Sequence, residues 1–312
     1  MPIGDQAGDP ASALSGFLRA RLPHRGYVED GWAESLNVTP SPEYGSFERW
    51  DDVGRALELR IGLDLGRRPE PAGLLTYLPP QRYSDLLQSV GFEPERAQRL
   101  PSADSSEPAL WEWKRATSPK PVGRQDEDRA LATCLDLMEV EQLAHRHPGW
   151  GIDQRRRWFA MVTDDASLGS DPQARHALDK VWAQYVELGR AAFHHLGSHV
   201  CVAPVLGQGF GVADFVVDNT LVDIKLTREP SPPVGRWLRQ LLGYLLLDWD
   251  DVHRLEVLAV YAGWQGQMLT CSVVDLLAAA TSAPTPTLTS LRDEFRTVMR
   301  RDVEKFVKHK HR

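Results

Sequence analysis

Cysteine is scarce in this sequence, which holds three cysteines among 312 residues: Cys134, Cys201 and Cys271. They are too scattered for a CxxC metal site and too few for a framework of disulfides. We therefore interpret them as core or incidental thiols.

Long apolar runs are missing as well. The longest, such as Leu241 to Leu247, fall far short of a membrane span, and the N-terminal residues lack the basic and then apolar pattern of a signal peptide. The hydrophobic fraction of 42% is nevertheless enough to fill a core. We expect a globular protein in the cytoplasm, with no membrane partner.

A surplus of positive charge is the third absence, since the formal net charge is −7. A protein of this charge does not coat nucleic acid through bulk attraction, so any phosphate contact must come from local basic patches. Two runs could supply them, residues 154–159 and residues 305–312. Short basic runs are also common as solvated surface, and both interpretations stay open.

The first 125 residues are rich in proline and glycine, so only short elements fit between the breaks. We predict helices over residues 51–65 and 82–90. Residues 1–125 are interpreted as an accessory region of unknown role, mostly helical or irregular. Residues 126–312 are predicted to form the core, with a preceding helix and a C-terminal helix.

Apolar periodicity predicts a regular succession of elements after residue 126. Helices are expected over residues 127–147, 171–196, 235–248 and 289–308, and strands over residues 198–205, 211–217, 220–227, 255–261 and 267–273. The fold class is therefore α/β or α+β, with a central mixed β-sheet flanked by helices.

The most informative passage is residues 211–225, where two apolar runs flank Asp218 and Asn219. This pair suits a two-residue hairpin turn, because Asp and Asn tolerate positive φ. Counting outward from the turn places Asp214 directly opposite Asp223. Strand alternation gives the other face a core-facing set: Phe215, Val217, Val222 and Ile224.

Two carboxylates that face each other across a strand pair repel, at a cost of up to about 1 kcal/mol, unless a positive group lies between them. Mg²⁺ binds through one or two carboxylates and keeps waters for a phosphate substrate, so it would relieve the repulsion between Asp214 and Asp223. Lys225 shares their face and could hold the attacking water or stabilise charge on the phosphate. The competing interpretation is the solvent face of an ordinary hairpin, with Lys225 as a neutralising charge.

Gln240 and Tyr244 lie one turn apart on the helix predicted to follow the hairpin. An amide and a phenol at this spacing can reach the same site as the hairpin acids. The alternative is a surface Gln and a Tyr that caps the core.

Three features together resemble the PD-(D/E)XK nuclease superfamily, specifically its RecB-like exonuclease branch: Asp214, the D-I-K strand of residues 223–225, and the Q-x-x-x-Y segment of residues 240–244. The resemblance covers residues 172–272. It implies a restriction-endonuclease-like core, with one helix, three strands, a second helix and a further strand. It also implies hydrolysis of phosphodiester bonds that depends on Mg²⁺ or Mn²⁺.

The resemblance further implies a role for each matching residue. Asp214, Asp223 and the carbonyl of Ile224 would bind the metal, Lys225 would assist the water, and Gln240 and Tyr244 would order the substrate or the lysine. These roles are expectations for the site.

The family often adds an acid from its first core helix, and Glu187 is the candidate metal ligand here, although an exposed helical Glu is the commoner meaning. Members of the RecB-like branch can also carry a histidine ligand ahead of the hairpin, for which His194 and His195 are available without a clear motif. The second acid of the family is frequently Glu, whereas this chain has Asp223. Its shorter arm is compatible with metal ligation.

The resulting hypothesis is a metal-dependent nuclease whose partner is nucleic acid, with DNA as the expected substrate and DNA repair or defence against foreign DNA as the expected role. The sequence identifies no protein partner. One alternative is a nuclease-fold module that has lost catalysis and serves in DNA binding or assembly. Another is unrelated chemistry on an α/β sheet, in which the hairpin charges are surface features.

Three further motifs are weaker. Residues 112–114 read E-x-K, but they lack a hairpin and a following Q-x-x-x-Y segment. Asp248, Asp250 and Asp251 are interpreted as loop acids at a helix end, because calcium-loop spacing does not follow them. Residues 145–147 read H-R-H without the partner residues of a zinc site.

Overall fold

The structure is a computed structural model, and it describes residues 3–37, 50–65, 98–99, 111–112, 124–146, 171–227, 231–281 and 285–310. The chain forms two compact units, one of residues 1–43 and 184–312 and the other of residues 44–183. This division does not follow the predicted boundary at residue 125. The physical reason is that helices near the N-terminus pack within the first unit.

The helices that the structure describes are numbered in chain order: α1 (Ile3–Gly8), α2 (Ala13–Arg21), α3 (Gly26–Asn37), α4 (Trp50–Asp64), α5 (Arg124–Arg146), α6 (Pro172–Gln184), α7 (Arg190–Leu196), α8 (Val234–Leu247), α9 (Val273–Ala280) and α10 (Leu288–Lys310). A π-helical turn, Tyr185–Gly189, joins α6 to α7.

The strands are β1 (Gln98–Arg99), β2 (Trp111–Glu112), β3 (Val200–Val202), β4 (Val205–Leu206), β5 (Gly211–Val212), β6 (Phe215–Val217), β7 (Thr220–Lys225), β8 (Val257–Ala262) and β9 (Gln267–Ser272). The predicted strands over residues 198–205 and 211–217 are each divided in two. The first is interrupted at Ala203, whose φ of 47° takes the backbone out of the extended conformation.

The predicted helices that correspond to α4, α5, α8 and α10 are confirmed. The helix predicted over residues 171–196 is present as α6 and α7, with the π-helical turn between them. The helix predicted over residues 82–90 lies outside the described residues. α9 was not predicted, because its apolar residues follow directly on those of β9.

The main sheet has five strands in the order β3, β6, β7, β8, β9. Neighbouring strands in this sheet are antiparallel except for β7 and β8, which are parallel. Parallel neighbours need a crossover connection, and α8 is the helix of that connection. The prediction of a mixed sheet flanked by helices is therefore confirmed.

Helices cover both faces of this sheet. On one face, an aromatic cluster joins Tyr185 and Phe193 of the helical layer to Phe215 and Tyr261 of the sheet, with ring centroids 5.5 to 6.1 Å apart. On the other face, α8 packs on Leu221 and its neighbours. The predicted core-facing set is buried, as expected: Phe215, Val217, Val222 and Ile224.

The three N-terminal helices pack against α8, and α2 also packs against α10. Gly243 of α8 permits a close approach, since a Cβ there would lie 2.6 Å from Cγ2 of Ile3 and 3.0 Å from Cδ2 of Leu14. The rings of Phe17 and Phe295 lie 5.2 Å apart and join α2 to α10. The N-terminal helices are thus structural parts of the unit that carries the hairpin acids.

The unit of residues 44–183 is organised around a buried arginine. Arg60 of α4 donates to both carboxylate oxygens of Glu127 on α5, at 2.7 and 2.9 Å. Its guanidinium also lies 4.2 Å from the centre of the Trp182 ring on α6, so one side chain joins three helices. In the described part of the chain, no helix is both long enough and apolar enough to cross a bilayer.

Candidate active site

The hairpin of β6 and β7 has the predicted register. Residues 215–217 pair with residues 220–222 in antiparallel order, which places the turn at Asp218. Asp218 adopts a φ of 49°, as such a turn requires. The same register, continued one step beyond the last ladder pair, places Asp214 opposite Asp223.

Asp214 lies where the ladder between the two strands ends. Its Oδ2 accepts a hydrogen bond from the backbone amide of Ile224 at 2.6 Å. Its own carbonyl accepts a hydrogen bond from the amide of Ala203 at 2.8 Å, which ties this residue to the end of β3. The carboxylate is therefore held against the last residues of β7.

Asp223 and Lys225 form a close ion pair on the face of β7 that α8 covers. Nζ of Lys225 lies 2.5 Å from Oδ2 of Asp223, and the two side chains are 20% and 1% exposed respectively. Oδ2 is buried, and its partner among the residues that the structure describes is the ammonium of Lys225. The carboxylate of Asp223 is therefore held by a charged partner and not by neutral donors.

Gln240 connects this ion pair to α8. Its Oε1 accepts a hydrogen bond from Nζ of Lys225 at 3.0 Å, and its Nε2 donates to the hydroxyl of Tyr244 at 2.9 Å. Nε2 also lies 3.5 Å from Oδ1 of Asp223. One amide side chain therefore fixes the lysine on one side and the phenol on the other.

The charges around Lys225 keep it protonated. Burial lowers the pKa of Lys225, but the carboxylates of Asp223 and Asp214 outweigh that effect, so the pKa lies above its ordinary value of 10.5. At neutral pH the side chain is an ammonium ion. It can donate hydrogen bonds and positive charge, and it cannot accept a proton.

The interpretation of these side chains as surface features does not fit the geometry. Asp223 is almost completely inaccessible to solvent, and Tyr244 is 5% exposed. The amide of Gln240 contacts Lys225 directly, and the hydroxyl of Tyr244 contacts that amide. The register and the helical spacing that the sequence supplied are sufficient to explain this arrangement.

Glu187 is not brought into a metal-binding cluster. It is exposed on the π-helical turn between α6 and α7. Among the described residues, no group of three or more His, Cys, Asp or Glu side chains could hold a metal ion. His194 is exposed as well, and Nδ1 of His195 lies 2.7 Å from the carbonyl of Ala191 in its own helix.

The residues present nevertheless fit a hard divalent cation in their chemistry. Asp223 offers a buried carboxylate whose Oδ2 faces Lys225, and Asp214 lies opposite Asp223 across the hairpin. Carboxylate and carbonyl oxygens are the ligands that Mg²⁺ takes in proteins, and Mg²⁺ usually keeps several waters. A two-carboxylate site is therefore compatible with this ion, with the backbone carbonyl of Ile224 as an additional oxygen.

Asp248, Asp250 and Asp251 lie at the end of α8, and Asp248 and Asp251 have structural partners. Asp248 accepts hydrogen bonds from the amides of Val252 and His253 at 3.0 and 3.3 Å. It also pairs with Arg292 of α10 at 3.2 Å, and Asp251 pairs with the same guanidinium at 2.5 Å. These acids hold α10 to the end of α8.

The remaining motifs are described only in part. Glu112 lies in β2, which pairs with β1 in a two-stranded sheet. The described residues do not include Lys114, His147 or residues 154–159.

Arg236 and two glycines of α1 border the site and were not predicted. Arg236, Gln240 and Tyr244 follow one another at intervals of four residues, so they lie in one row on α8. Gly4 and Gly8 of α1 lie beside this row. The R-x-x-x-Q-x-x-x-Y spacing was available in the sequence, whereas nothing local in the sequence predicts that α1 packs there.

These distances are the basis for interpreting the site. Compared with known proteins, the chain matches no family model, no curated protein and no solved structure.

Proposed function

We propose that this chain is a metal-dependent nuclease that hydrolyses phosphodiester bonds, with DNA as its substrate. The observation that carries the proposal is the connected polar network of Asp223, Lys225, Gln240 and Tyr244, with Asp214 facing its first member. Asp223 lies on β7 beside the buried apolar residues Leu221, Val222 and Ile224.

Such a polar network is difficult to explain as a contribution to stability. A buried ion pair often stabilises a fold less than apolar residues of the same volume would, because the desolvation of both charges is costly. Asp223 and Lys225 lie between the apolar sheet and α8, where apolar side chains would pack well. Buried charges held by specific partners are typical of sites that carry chemistry.

A divalent cation would be held by Asp214, Asp223 and the carbonyl of Ile224. When bound, Mg²⁺ or Mn²⁺ supplies positive charge against the phosphate and makes a bound water more acidic. Oδ2 of Asp223 is buried and has a second lone pair beyond the one that faces Lys225, which supports this assignment. Glu187 is proposed as a further ligand only if its exposed side chain turns toward the hairpin, so it is the weakest member of the set.

Lys225 acts as a positive hydrogen-bond donor in this proposal. Its raised pKa and its bond to Gln240 keep the ammonium charged and aimed at one place. A fixed cation of this kind stabilises the charge that develops on a phosphate oxygen during hydrolysis. Gln240 and Tyr244 position the lysine, since Gln240 contacts it directly and Tyr244 holds the amide of Gln240.

The topology supports the resemblance to the PD-(D/E)XK superfamily. A long helical segment, three antiparallel strands, α8 and a strand parallel to β7 follow in the order of a restriction-endonuclease-like core. The candidate acids lie at the end of the central strand, where loops and helix α8 meet. Repair of DNA or defence against foreign DNA are the biological roles that this resemblance suggests.

Cleavage assays would test the proposal directly. Linear and circular DNA are incubated with the protein and Mg²⁺ or Mn²⁺, and the wild type is compared with Asp223→Asn and Lys225→Met. Asp250→Asn serves as the matched control, because it removes the same charge from a side chain that is 78% exposed. We expect metal-dependent cleavage by the wild type and the control, and at least a hundredfold less by the two site variants.

The same assays identify the alternative, a nuclease-fold module without catalysis. The observation that favours it is that the described residues bring no third acid to Asp214 and Asp223. Binding of DNA without cleavage in either metal, together with no calorimetric signal for metal binding, would support that module. Cleavage of circular DNA would additionally identify an endonuclease.

A further inference from the structure

Two glycines of α1 lie alongside the polar row of α8. A Cβ at Gly4 would lie 3.7 Å from Nε2 of Gln240, and a Cβ at Gly8 would lie 3.3 Å from Cζ and Nε of Arg236. Both pairs have a spacing of four residues, so one turn of α1 faces one turn of α8. The guanidinium of Arg236 therefore lies beside Gly8 of α1, one helical turn before Gln240 on α8.

Arg236 differs from the neighbouring arginines in the partners of its side chain. Arg239 donates to the carbonyl of Ala7 at 2.9 Å, and Arg25 pairs with Glu29 at 3.3 Å. Arg236 is exposed, and its guanidinium has neither a hydrogen bond nor an ion pair with the residues that the structure describes. Its five donors are available to a ligand.

Placing a cation here is electrostatically unfavourable without an anion. Arg236 lies in the first turn of α8, which holds no acid, and the positive end of the helix dipole repels it. Its charge also acts on Lys225 and on Arg239, which are cations themselves. A negatively charged ligand would relieve all three repulsions.

We propose that Arg236 binds a phosphate group of the nucleic-acid backbone, next to the phosphodiester on which Asp214, Asp223 and Lys225 act. This inference rests on the proposed nuclease function and adds a subsite to it. Four residues of helix separate Arg236 from Gln240, which is about 6 Å along the axis, a distance of one or two nucleotide steps. The planar guanidinium can grip two phosphate oxygens at once, whereas a lysine would act as a point charge.

The experiment measures binding across a salt series, with fluorescein-labelled single-stranded and duplex DNA. Divalent metal is removed with EDTA, so that binding is separated from cleavage. The variants are Arg236→Gln, Arg236→Lys and the control Arg254→Gln. Arg254 is an exposed arginine beyond the C-terminal end of α8, and that end lies about 16 Å along the helix axis from Arg236.

For Arg236→Gln we expect roughly tenfold weaker binding at moderate salt. The slope of log affinity against log salt should fall by about 0.9 for duplex and about 0.7 for single-stranded DNA, because one phosphate contact is lost. Arg236→Lys should keep the slope and lose part of the affinity. Arg254→Gln should match the wild type, and equal melting temperatures would verify that every variant is folded.

Cleavage by the same variants separates the two proposals. If the wild type cleaves DNA but Arg236→Gln keeps its affinity, salt slope and KM, the phosphate subsite is wrong while the nuclease function stands. If the wild type neither binds nor cleaves DNA, the nuclease function fails and the subsite fails with it. A rise in KM for Arg236→Gln with little change in kcat would support a contact made in the ground state.

Discussion

Nζ of Lys225 and Oε1 of Gln240 lie 3.0 Å apart, which joins the last residue of β7 to the middle of α8. The amide nitrogen of Gln240 points the other way, to the hydroxyl of Tyr244. The orientation of the lysine therefore depends on a helix that is separate from its own strand. Variants of the helix can change the site without changing the hairpin.

Gln240→Leu should lower the rate of cleavage by more than its loss of folded protein explains. The substitution removes the acceptor for Lys225 and the donor for Tyr244, so about 1 to 2 kcal/mol of unfolding free energy should be lost. Cleavage should fall by at least tenfold, because the ammonium loses its fixed position. Urea titration and initial rates measure the two effects. Equal losses of rate and folded fraction would indicate a purely structural role for Gln240.

Removing one charge of the Asp223–Lys225 pair should lower the free energy of unfolding more than removing both charges. Asp223→Leu leaves the largely buried ammonium of Lys225 with little compensation, and the loss should approach about 3 kcal/mol. In Asp223→Leu with Lys225→Met, both charges are absent, and a good part of that loss should return. Denaturant titration compares the single and double variants, and both should be inactive. A double variant as unstable as the single one would contradict this interpretation of the pair.

The contact of Arg292 with Asp248 is predicted to stabilise the fold. Both side chains are 3% exposed, so Arg292→Met leaves a buried carboxylate without its cation and should cost about 3 kcal/mol or more. Asp250→Asn is the matched control, because the pair of Asp250 with Arg296 is exposed and 3.9 Å long. Its effect should stay below about 0.5 kcal/mol. Thermal unfolding of the two variants measures the difference.

Gly243→Ala should destabilise the unit that holds the site. The added methyl would lie 2.6 Å from Cγ2 of Ile3, so α1 or α8 must shift, at a cost of about 1 to 3 kcal/mol. Gly16→Ala is the control on α2, since nothing lies within 4 Å of a Cβ there. That variant should gain up to about 1 kcal/mol, as alanine favours a helix over glycine. Urea unfolding curves of both variants test the opposite signs.

The three thiols should differ in their reaction with iodoacetamide. Cys201 is exposed and should react first. Burial raises the pKa of Cys271 to about 11 and that of Cys134 to about 12. Since the thiolate is the nucleophile, about a thousandth of Cys271 is reactive at pH 8, and its rate should rise tenfold per pH unit until about pH 11. Mass spectrometry of peptides labelled at pH 8, 9 and 10 measures each site, and a Cys271 rate independent of pH would contradict the prediction.

Local patterns were sufficient for the hairpin and for the row on α8. The turn at Asp218 and the alternation along β7 place Asp223 and Lys225 on one face whatever the rest of the chain does. The spacing of Gln240 and Tyr244 gives their common direction in the same way. These features depend on short stretches of backbone geometry, which the sequence states directly.

Packing between distant segments could not be predicted in this way. That α1 lies beside Arg236 depends on tertiary contacts, for which the periodicity of a six-residue helix is no guide. α9 is a different case, because Ser272 and Asp275 form a recognisable N-terminal cap. The strand predicted over residues 267–273 includes only the first residue of α9, and the cap would have indicated the helix that follows.

Gln6 and Met299 are in contact although 293 positions separate them. During synthesis, α1 to α3 therefore emerge long before α10. Their apolar faces stay uncovered while the intervening residues are made. Contacts of such high sequence separation form slowly, because the loop between them must close first. A chain truncated before α10 would lack the contacts of Arg292 with Asp248 and Asp251 at the end of α8. The helix that carries Gln240 would then lose part of its support. The proposed chemistry would then become available only after α10 has been synthesised and has packed on α8.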